Sequence, residues 1–184
     1  MIVFAIVVNT FQINLFVPIE FSKGKNVLYF TYGSNMDSTD LKSWCDRNGY
    51  TLSEFDCLGS SYIEGYEIVF NYYSNGRKGG AANIMEKTGS NTYGLLFSID
   101  AATLKVLREK EGYPKYYSEI TIPVVQGECI LKDVLTYKVV SERELQSHQK
   151  PTRHYMDLII SNARKNNFPD EYIAFLEQIE TQGI

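Results

Sequence analysis

The chain of 184 residues has the length of one domain, or of one domain with an extra segment. Eighteen Lys and Arg residues against 22 Asp and Glu residues give a net charge of −4, which disfavours a nucleic-acid-binding protein because such proteins present a basic face to phosphates. Only two His and three Cys residues are present, which leaves little for a zinc site.

Residues 1–26 form an N-terminal extension that the sequence does not explain. Residues 1–21 contain no Lys or Arg, so the basic region of a secretory signal is missing. The apolar run at residues 2–8 is too short to span a bilayer, which takes about 20 residues. Three interpretations stay open: an additional strand or apolar segment packed on the domain, an atypical membrane-directed segment, or a start codon assigned too early.

Short runs of aromatic and β-branched residues, separated by Gly, Asn and Ser, predict many short strands. The predicted strands are residues 27–32, 55–58, 66–73, 81–86, 92–99, 116–125 and 128–139. Turn residues at positions 88–91 predict that the strands at 81–86 and 92–99 form a hairpin, and Gln126-Gly127 predicts a second hairpin.

Apolar residues at helical spacing predict four helices. The first helix begins near residue 38 and ends near residue 47. The other three cover residues 101–111, 152–167 and 170–181. Asp100 is a suitable N-cap for the second helix, and Gly112 ends it. Because the strands lie too close together for helical crossovers throughout, we expect one α+β domain at residues 27–181. Its architecture would be a small mixed or antiparallel curled sheet or β-barrel, flanked by helices and followed by a helical C-terminal tail.

The cysteines Cys45, Cys57 and Cys129 are scattered and lack a Cys-x-x-Cys spacing, so they do not form a disulfide framework. We interpret them as small hydrophobic residues, with one reactive thiol as the alternative. Unpaired cysteines favour a reducing compartment, and we expect a cytoplasmic protein.

Two segments carry polar groups that could bind a ligand or catalyse a reaction: the loop after the first strand and the end of the second helix. At Gly33-Ser34-Asn35 the missing side chain lets the backbone approach a ligand, and successive N–H groups can bind an anion; an ordinary strand end is the alternative. Glu111 shares the apolar stripe of its helix with Leu104 and Leu107, which suits a general acid or base. A frayed helix end with a solvated Glu111 is the alternative.

Other candidates are weaker when taken alone. Tyr117 and Tyr137 lie on neighbouring predicted strands, where they could bind a polar ligand or be ordinary half-buried residues. Arg77 or Lys78 could pair with a substrate carboxylate, or be a solvated loop charge. The small residues at 79–83 allow a close approach of backbone or ligand, or form a bulge.

The order of these segments resembles the gamma-glutamylcyclotransferase family, which includes the butirosin-pathway cyclotransferases. LYFTYGSNM resembles the family's [YF]-x-YGSN signature, and LREKEGYPKYY resembles its L-[DE]-x-x-E-G-x-P-x-x-Y segment. Further similar segments are GGAANI, YGLLFSID, LTY and a tail that contains Pro151, Tyr155 and NNFPDEY, in collinear order over residues 27–179. Arg108 departs from the family pattern, which has an acid at that position.

The resemblance implies a cyclotransferase-type β-barrel and an enzyme that converts a γ-glutamyl amide or amino acid to 5-oxoproline by lyase-type intramolecular aminoacyl transfer, with release of the amine or amino acid. It implies Glu111 as the general acid/base, with no metal and no cofactor. The substrate-binding residues it implies are Tyr29, Phe30, Thr31, Tyr32, Gly33, Ser34, Asn35, Tyr117 and Tyr137.

Two other functions stay open: removal of a γ-glutamyl protecting group in a biosynthetic pathway, and a non-catalytic ligand- or partner-binding domain of the same fold. The expected partner is a small γ-glutamyl substrate, with neither nucleic acid nor a membrane. The oligomeric state stays open, with a homodimer among the alternatives. Asn35 matches neither the YGSL of the glutathione-specific branch nor the YGT of the γ-glutamylamine branch, so a role in glutathione metabolism stays one option.

Overall fold

The computed structural model describes residues 26–183, so the predictions for residues 1–25 lie outside the described residues. Its strands are β1 Val27–Thr31, β2 Phe55–Ser74, β3 Gly79–Ile99, β4 Tyr117–Gln126 and β5 Cys129–Val139. Its helices are α1 Ser38–Asn48, α2 Ala101–Glu111, α3 Arg153–Lys165 and α4 Asp170–Glu177, with short 3₁₀ turns at Ser34–Met36 and Ser141–Arg143. The predicted α+β class, with a barrel and a helical tail, is confirmed.

The five strands close into a barrel in the order β1-β3-β2-β4-β5. Four pairings are antiparallel, and β5 returns to β1 in parallel. Two seams of the barrel are narrow, since β2 meets β4 at Tyr62 and Val125 while β1 meets β5 at Tyr29 and Leu135. The barrel therefore closes at Tyr29, four residues before Gly33.

The hairpin predicted at residues 88–91 is wrong, and so is the break predicted between residues 58 and 66. β2 and β3 are single long strands that pair with each other over most of their length. Asn91 pairs with Glu64 and Glu86 pairs with Tyr66, so the turn residues between them form a bulge rather than a reversal. Gly65 and Gly89 both have positive φ there, at 75° and 83°, which lets the two strands bend together.

Helices α1 and α2 begin at side chains that accept hydrogen bonds from their first N–H groups. Asp37 Oδ1 accepts a hydrogen bond from Asp40 N–H at 2.8 Å, and Asp100 Oδ1 accepts one from Thr103 N–H at 2.8 Å. α2 ends at Gly112 in the left-handed conformation. The predicted cap and end of α2 are thus confirmed, and together they fix where Glu111 lies.

One apolar core joins the barrel to the helices. It includes Phe30 of β1, Leu41 of α1, Leu107 of α2 and Met156 of α3, all fully buried. Cys45 is buried in this core, whereas the other two cysteines are exposed, and all three are free thiols. In the part of the chain that the structure describes, no helix is long and apolar enough to cross a membrane.

Candidate active site

A small cavity of about 40 Å³ lies between the end of β1 and the C-terminal end of α2. It brings together the predicted catalytic residue Glu111 and every predicted substrate-binding residue. Its lining consists of Tyr29, Phe30, Thr31, Tyr32, Gly33, Ser34, Asn35, Ala82, Glu111, Tyr117, Thr136, Tyr137 and Tyr155. Two segments that lie far apart in the sequence, the YGSN loop and the end of α2, therefore face the same space.

The side-chain amide of Asn35 links these two segments. Asn35 is only 3% exposed, and its Nδ2 donates one hydrogen bond to Glu111 Oε1 and another to the Tyr29 hydroxyl, each at 2.8 Å. Among the described residues, Asn35 Oδ1 is a buried oxygen without a hydrogen-bond partner. A group that donates a hydrogen bond can therefore be accommodated beside the carboxylate.

The YGSN loop forms a single tight turn after β1. Met36 N–H donates to Gly33 O at 3.1 Å, and Asp37 N–H donates to Ser34 O at 3.0 Å. The opening N–H groups of such a turn have no partner within it, so they can receive an anionic oxygen. A Cβ atom on Gly33 would lie 3.2 Å from the Tyr155 hydroxyl, so glycine keeps the loop close to α3.

Buried phenols make up much of the cavity wall. The Tyr32 hydroxyl donates to Tyr137 O at 2.6 Å, which ties the YGSN loop to β5. Burial raises the pKa of the Tyr29, Tyr32 and Tyr137 phenols, and the nearby Glu111 carboxylate raises them further. All three phenols therefore stay protonated near neutral pH. The Tyr32 and Tyr137 hydroxyls already donate to Tyr137 O and to Glu119, so the Tyr29 hydroxyl is the one of the three that can donate a hydrogen bond to a ligand.

A bulge in the barrel places two further tyrosines at the site. Phe70 and Asn71 of β2 stand opposite the single residue Ala82 of β3, so the Ala82 peptide turns away from the strand ladder. Ala82 N–H donates to the Tyr155 hydroxyl at 3.3 Å, and the Tyr117 hydroxyl donates to Ala82 O at 2.9 Å. The bulge thereby fixes one tyrosine from α3 and one from β4.

Arg108, which departs from the family pattern, has a partner on β4. Its guanidinium donates two hydrogen bonds to the Glu119 carboxylate, both at 2.7 Å, in a bidentate pair. The Tyr137 hydroxyl also donates to Glu119, at 3.0 Å. The pair therefore holds α2 against the strand hairpin that supplies Tyr137 to the cavity.

A wider cleft of about 440 Å³ adjoins the cavity and shares Ser34, Glu111, Tyr117 and Tyr155 with it. Arg77 and Lys110 also line this cleft. The inner cavity accommodates only a small polar end of a ligand, so the remainder of a larger ligand has to extend into the cleft.

Sequence reasoning missed part of the site. Tyr155 lies within the tail motif of the resemblance, and nothing in that motif indicates that its hydroxyl lines the cavity. Thr136 and Lys110 had no signal beyond being adjacent to Tyr137 and Glu111. Among residues 26–183, no group of three or more His, Cys, Asp or Glu side chains is arranged to hold a metal ion.

Known proteins resemble this chain in both sequence and fold. Residues 91–176 match the AIG2-like family. A mouse gamma-glutamylcyclotransferase is 25% identical over 163 residues, which cover 86% of this chain and 81% of the mouse protein. A solved gamma-glutamyl cyclotransferase has a TM-score of 0.73 at 23% identity, covering 87% of this chain and 91% of its own. The fold is that of a gamma-glutamyl cyclotransferase.

Two further structures share this cyclotransferase fold. An uncharacterized human protein has a TM-score of 0.72 at 23% identity, over 87% of this chain and 91% of its own. YkqA from Bacillus subtilis has a TM-score of 0.65 at 25% identity, over 85% of this chain but 56% of its own. The resemblance inferred from the sequence is confirmed. The AIG2-like match includes Glu111, whereas the YGSN loop precedes it.

Proposed function

We propose that this protein is a γ-glutamyl cyclotransferase, which converts a small γ-glutamyl amide or amino acid to 5-oxoproline and releases the amine or amino acid. The names and folds of the relatives support this general class of activity. The free thiols, two of them exposed, support a cytoplasmic location as part of the proposal.

The proposed step is an intramolecular substitution. The substrate's α-amino nitrogen attacks its own γ-carbonyl carbon, the new C–N bond closes a five-membered ring, and the original amide C–N bond breaks. Because the nucleophile is tethered to the carbonyl, proximity supplies much of the rate. The protein has to remove a proton from the ammonium group, stabilise the oxyanion and return a proton to the leaving nitrogen.

The described residues offer a group for each of these tasks. Glu111 is the proposed base and then the acid. The unpartnered Oδ1 of Asn35 is suited to accept a hydrogen bond from the ammonium group beside Glu111. The opening N–H groups of the YGSN loop and the protonated phenol of Tyr29 are the proposed donors to the substrate carboxylate or the oxyanion.

A single contact carries the proposal most directly, namely the 2.8 Å hydrogen bond between Asn35 and Glu111. It connects the only two motifs whose combination was specific in the sequence, and it does so in the wall of a cavity. A carboxylate held by an amide in a pocket of phenols has no evident structural purpose, because Glu111 makes no ion pair within the described residues.

The test measures release of 5-oxoproline from a panel of γ-glutamyl amino acids, γ-glutamyl amines and glutathione. Glu111→Gln keeps the side-chain shape and the acceptor for Asn35, so we expect a folded protein whose kcat falls about 10²- to 10⁴-fold, the usual contribution of a general acid/base. Glu86→Gln is the matched control, because Glu86 is an exposed carboxylate of β3 that lines neither the cavity nor the cleft.

The outcomes separate the competing functions. If the wild-type protein releases no 5-oxoproline from any substrate, the proposed activity is wrong. If the wild-type protein is active and Glu111→Gln is equally active, Glu111 is not the base. Binding of a γ-glutamyl compound without turnover would instead favour a non-catalytic domain of the same fold.

A further inference from the structure

The segment after α4 returns to the rim of the cleft at a single glutamine. In this C-terminal segment, residues 178–183, Gln182 forms a parallel bridge with Thr152, the N-cap of α3. Gln182 N–H also donates a hydrogen bond to Pro151 O at 2.8 Å. The backbone of Gln182 is therefore fixed beside the start of α3, the helix that carries Tyr155 to the cavity.

The side chain of Gln182 joins two further segments of the chain. Its Nε2 donates one hydrogen bond to Lys78 O and another to Lys150 O, each at 3.0 Å. Lys78 ends the β2–β3 loop, residues 75–78, and lies 104 positions before Gln182 in the sequence. One amide thus ties this loop to the segment that precedes α3.

The two glycines that open β3 make room for these contacts. A Cβ atom on Gly79 would lie 2.9 Å from Gln182 Nε2, and a Cβ atom on Gly80 would lie 1.9 Å from Gln149 O. Both distances are too short for real Cβ contacts, so a side chain at either position would displace the neighbouring chain. At these two positions, the close approach that the small residues allow is that of the protein's own chain.

The β2–β3 loop forms part of the wall of the outer cleft, which residues 74–77 all line. Arg77 Nη2 donates a hydrogen bond to Ser34 Oγ at 2.6 Å, and its guanidinium carbon lies 4.2 Å from the centre of the Tyr155 ring. Its side chain is 26% exposed, so Arg77 is not the freely solvated loop charge that the sequence left as an alternative. The position of the loop therefore determines the shape of the cleft next to Ser34.

The conformation of the loop needs support from outside it. Lys78 has a positive φ of 55°, a left-handed conformation that is unfavourable for a residue with a side chain. Its side chain is exposed, so packing of this side chain does little to hold the conformation. The hydrogen bond from Gln182 to the Lys78 carbonyl is a contact that can hold the end of the loop in place.

We propose that Gln182 is a positioning residue that holds the β2–β3 loop in the wall of the cleft; the expected effect on substrate rests on the proposed function. The inner cavity accommodates only a small end of the substrate, so the part beyond the scissile amide extends into this cleft. Gln182 lines neither space and therefore acts through the loop. Its loss should weaken substrate binding and leave the chemical step at Glu111 unchanged.

The first measurement is the rate at which trypsin cleaves the folded protein after Arg77 and Lys78. Gln182→Glu keeps the size of the side chain but places an acceptor where Lys78 O and Lys150 O need a donor. We expect loop cleavage to become about three- to tenfold faster, because losing the hydrogen bond raises the population of the open loop. Gln178→Ala is the matched control and should keep the wild-type rate, because Gln178 is an exposed glutamine of the same segment that lines neither the cavity nor the cleft.

The second measurement gives kcat and KM for the best substrate of the wild-type protein from the panel described above. In Gln182→Glu and in Gln182→Ala we expect KM to rise about three- to tenfold, while kcat stays within about twofold of the wild-type value. A general loss of structure would instead reduce the fraction of active enzyme, which lowers kcat and leaves KM unchanged. If Gln182→Glu does not fold, Gln182→Ala decides both measurements.

Either measurement can overturn the inference. If trypsin cleaves the loop of both variants at the wild-type rate, Gln182 does not hold the loop. If cleavage after the other Lys and Arg residues accelerates by the same factor, Gln182 stabilises the whole domain and not this loop. Faster loop cleavage with an unchanged KM would show that the position of the loop does not affect the substrate. Absence of turnover by the wild-type protein would refute the proposed function, whereas the cleavage rates would still decide whether Gln182 holds the loop.

Discussion

Replacing Asn35 by alanine removes the amide that connects Glu111 to Tyr29. The bond to the Glu111 carboxylate is charge-assisted, worth about 1.5–3 kcal/mol, and the bond to the neutral Tyr29 hydroxyl is worth about 0.5–1.5 kcal/mol. Together they amount to about 2–4.5 kcal/mol, which corresponds to about 30- to 2,000-fold in rate if all of it is lost in the transition state. Because water can reach the partly buried Glu111, we expect the lower end, about 30- to 100-fold in kcat/KM.

The assay is 5-oxoproline release by Asn35→Ala on the best substrate of the wild-type protein, with thermal unfolding measured in parallel. Asn91→Ala is the control, because Asn91 is an exposed asparagine of β3 outside the cavity and the cleft, and its loss should leave kcat/KM unchanged. If Asn35→Ala is folded and stays within about threefold of wild type, the argument that Asn35 orients Glu111 is refuted.

Two further predictions concern stability. Arg108→Ala leaves the partly buried Glu119 without its bidentate partner, so we expect urea unfolding to show a loss of about 1–2 kcal/mol, less than for a fully buried pair because Arg108 is about one-third exposed. The hydrogen bond from Thr103 N–H holds the pKa of the Asp100 carboxyl below its usual value near 3.9. The ionised Asp100 carboxyl therefore stabilises the protein above about pH 4, and this stabilisation is lost as the pH falls through the lower folded-state pKa. Asn still caps the helix, so Asp100→Asn should lose less stability than the wild-type protein between about pH 4 and pH 2.

Each of these has a matched control. Lys42→Ala breaks an exposed pair with Asp46 at 2.8 Å, which should leave the free energy of unfolding almost unchanged. A loss in Arg108→Ala no larger than in Lys42→Ala would contradict the importance of the buried geometry. Asp56→Asn changes an exposed strand carboxylate and should lose as much stability on acidification as the wild-type protein. If Asp100→Asn loses as much stability between about pH 4 and pH 2 as the wild-type protein, the cap does not contribute to acid unfolding.

Local signals were sufficient where the structure is determined locally. Asp100 and Gly112 are the two ends of α2, and both act through hydrogen bonds or backbone angles within one turn of the helix. The position of Glu111 on the apolar stripe of α2 followed from helical spacing alone, and Leu104 and Leu107 on the same stripe are buried. These features could be predicted because each depends on residues only a few positions apart.

The parts that could not be predicted depend on distant neighbours. Turn residues at positions 88–91 favour a reversal, but the partner strand carries a glycine at the same level, so both strands bend and continue. Tyr155 reaches the cavity because a bulge frees the Ala82 peptide, which no local pattern announces. Arg77 and Lys110 both donate hydrogen bonds to Ser34 Oγ. This requires the β2–β3 loop to lie over the end of α2, a tertiary arrangement that cannot be predicted from composition.

The seam between β1 and β5 has an entropic consequence for the site. Tyr29 forms the single bridge of that seam and also lines the cavity, and the neighbouring hydrogen bond from Thr136 to Phe30 O joins residues 106 positions apart. Bringing residues so far apart into contact costs loop-closure entropy. Helix α2 and its glutamate depend on contacts between near neighbours, so they do not carry this cost. Tyr29 is therefore placed at the site only once the barrel has closed, whereas the position of the carboxylate on its helix depends on local structure alone.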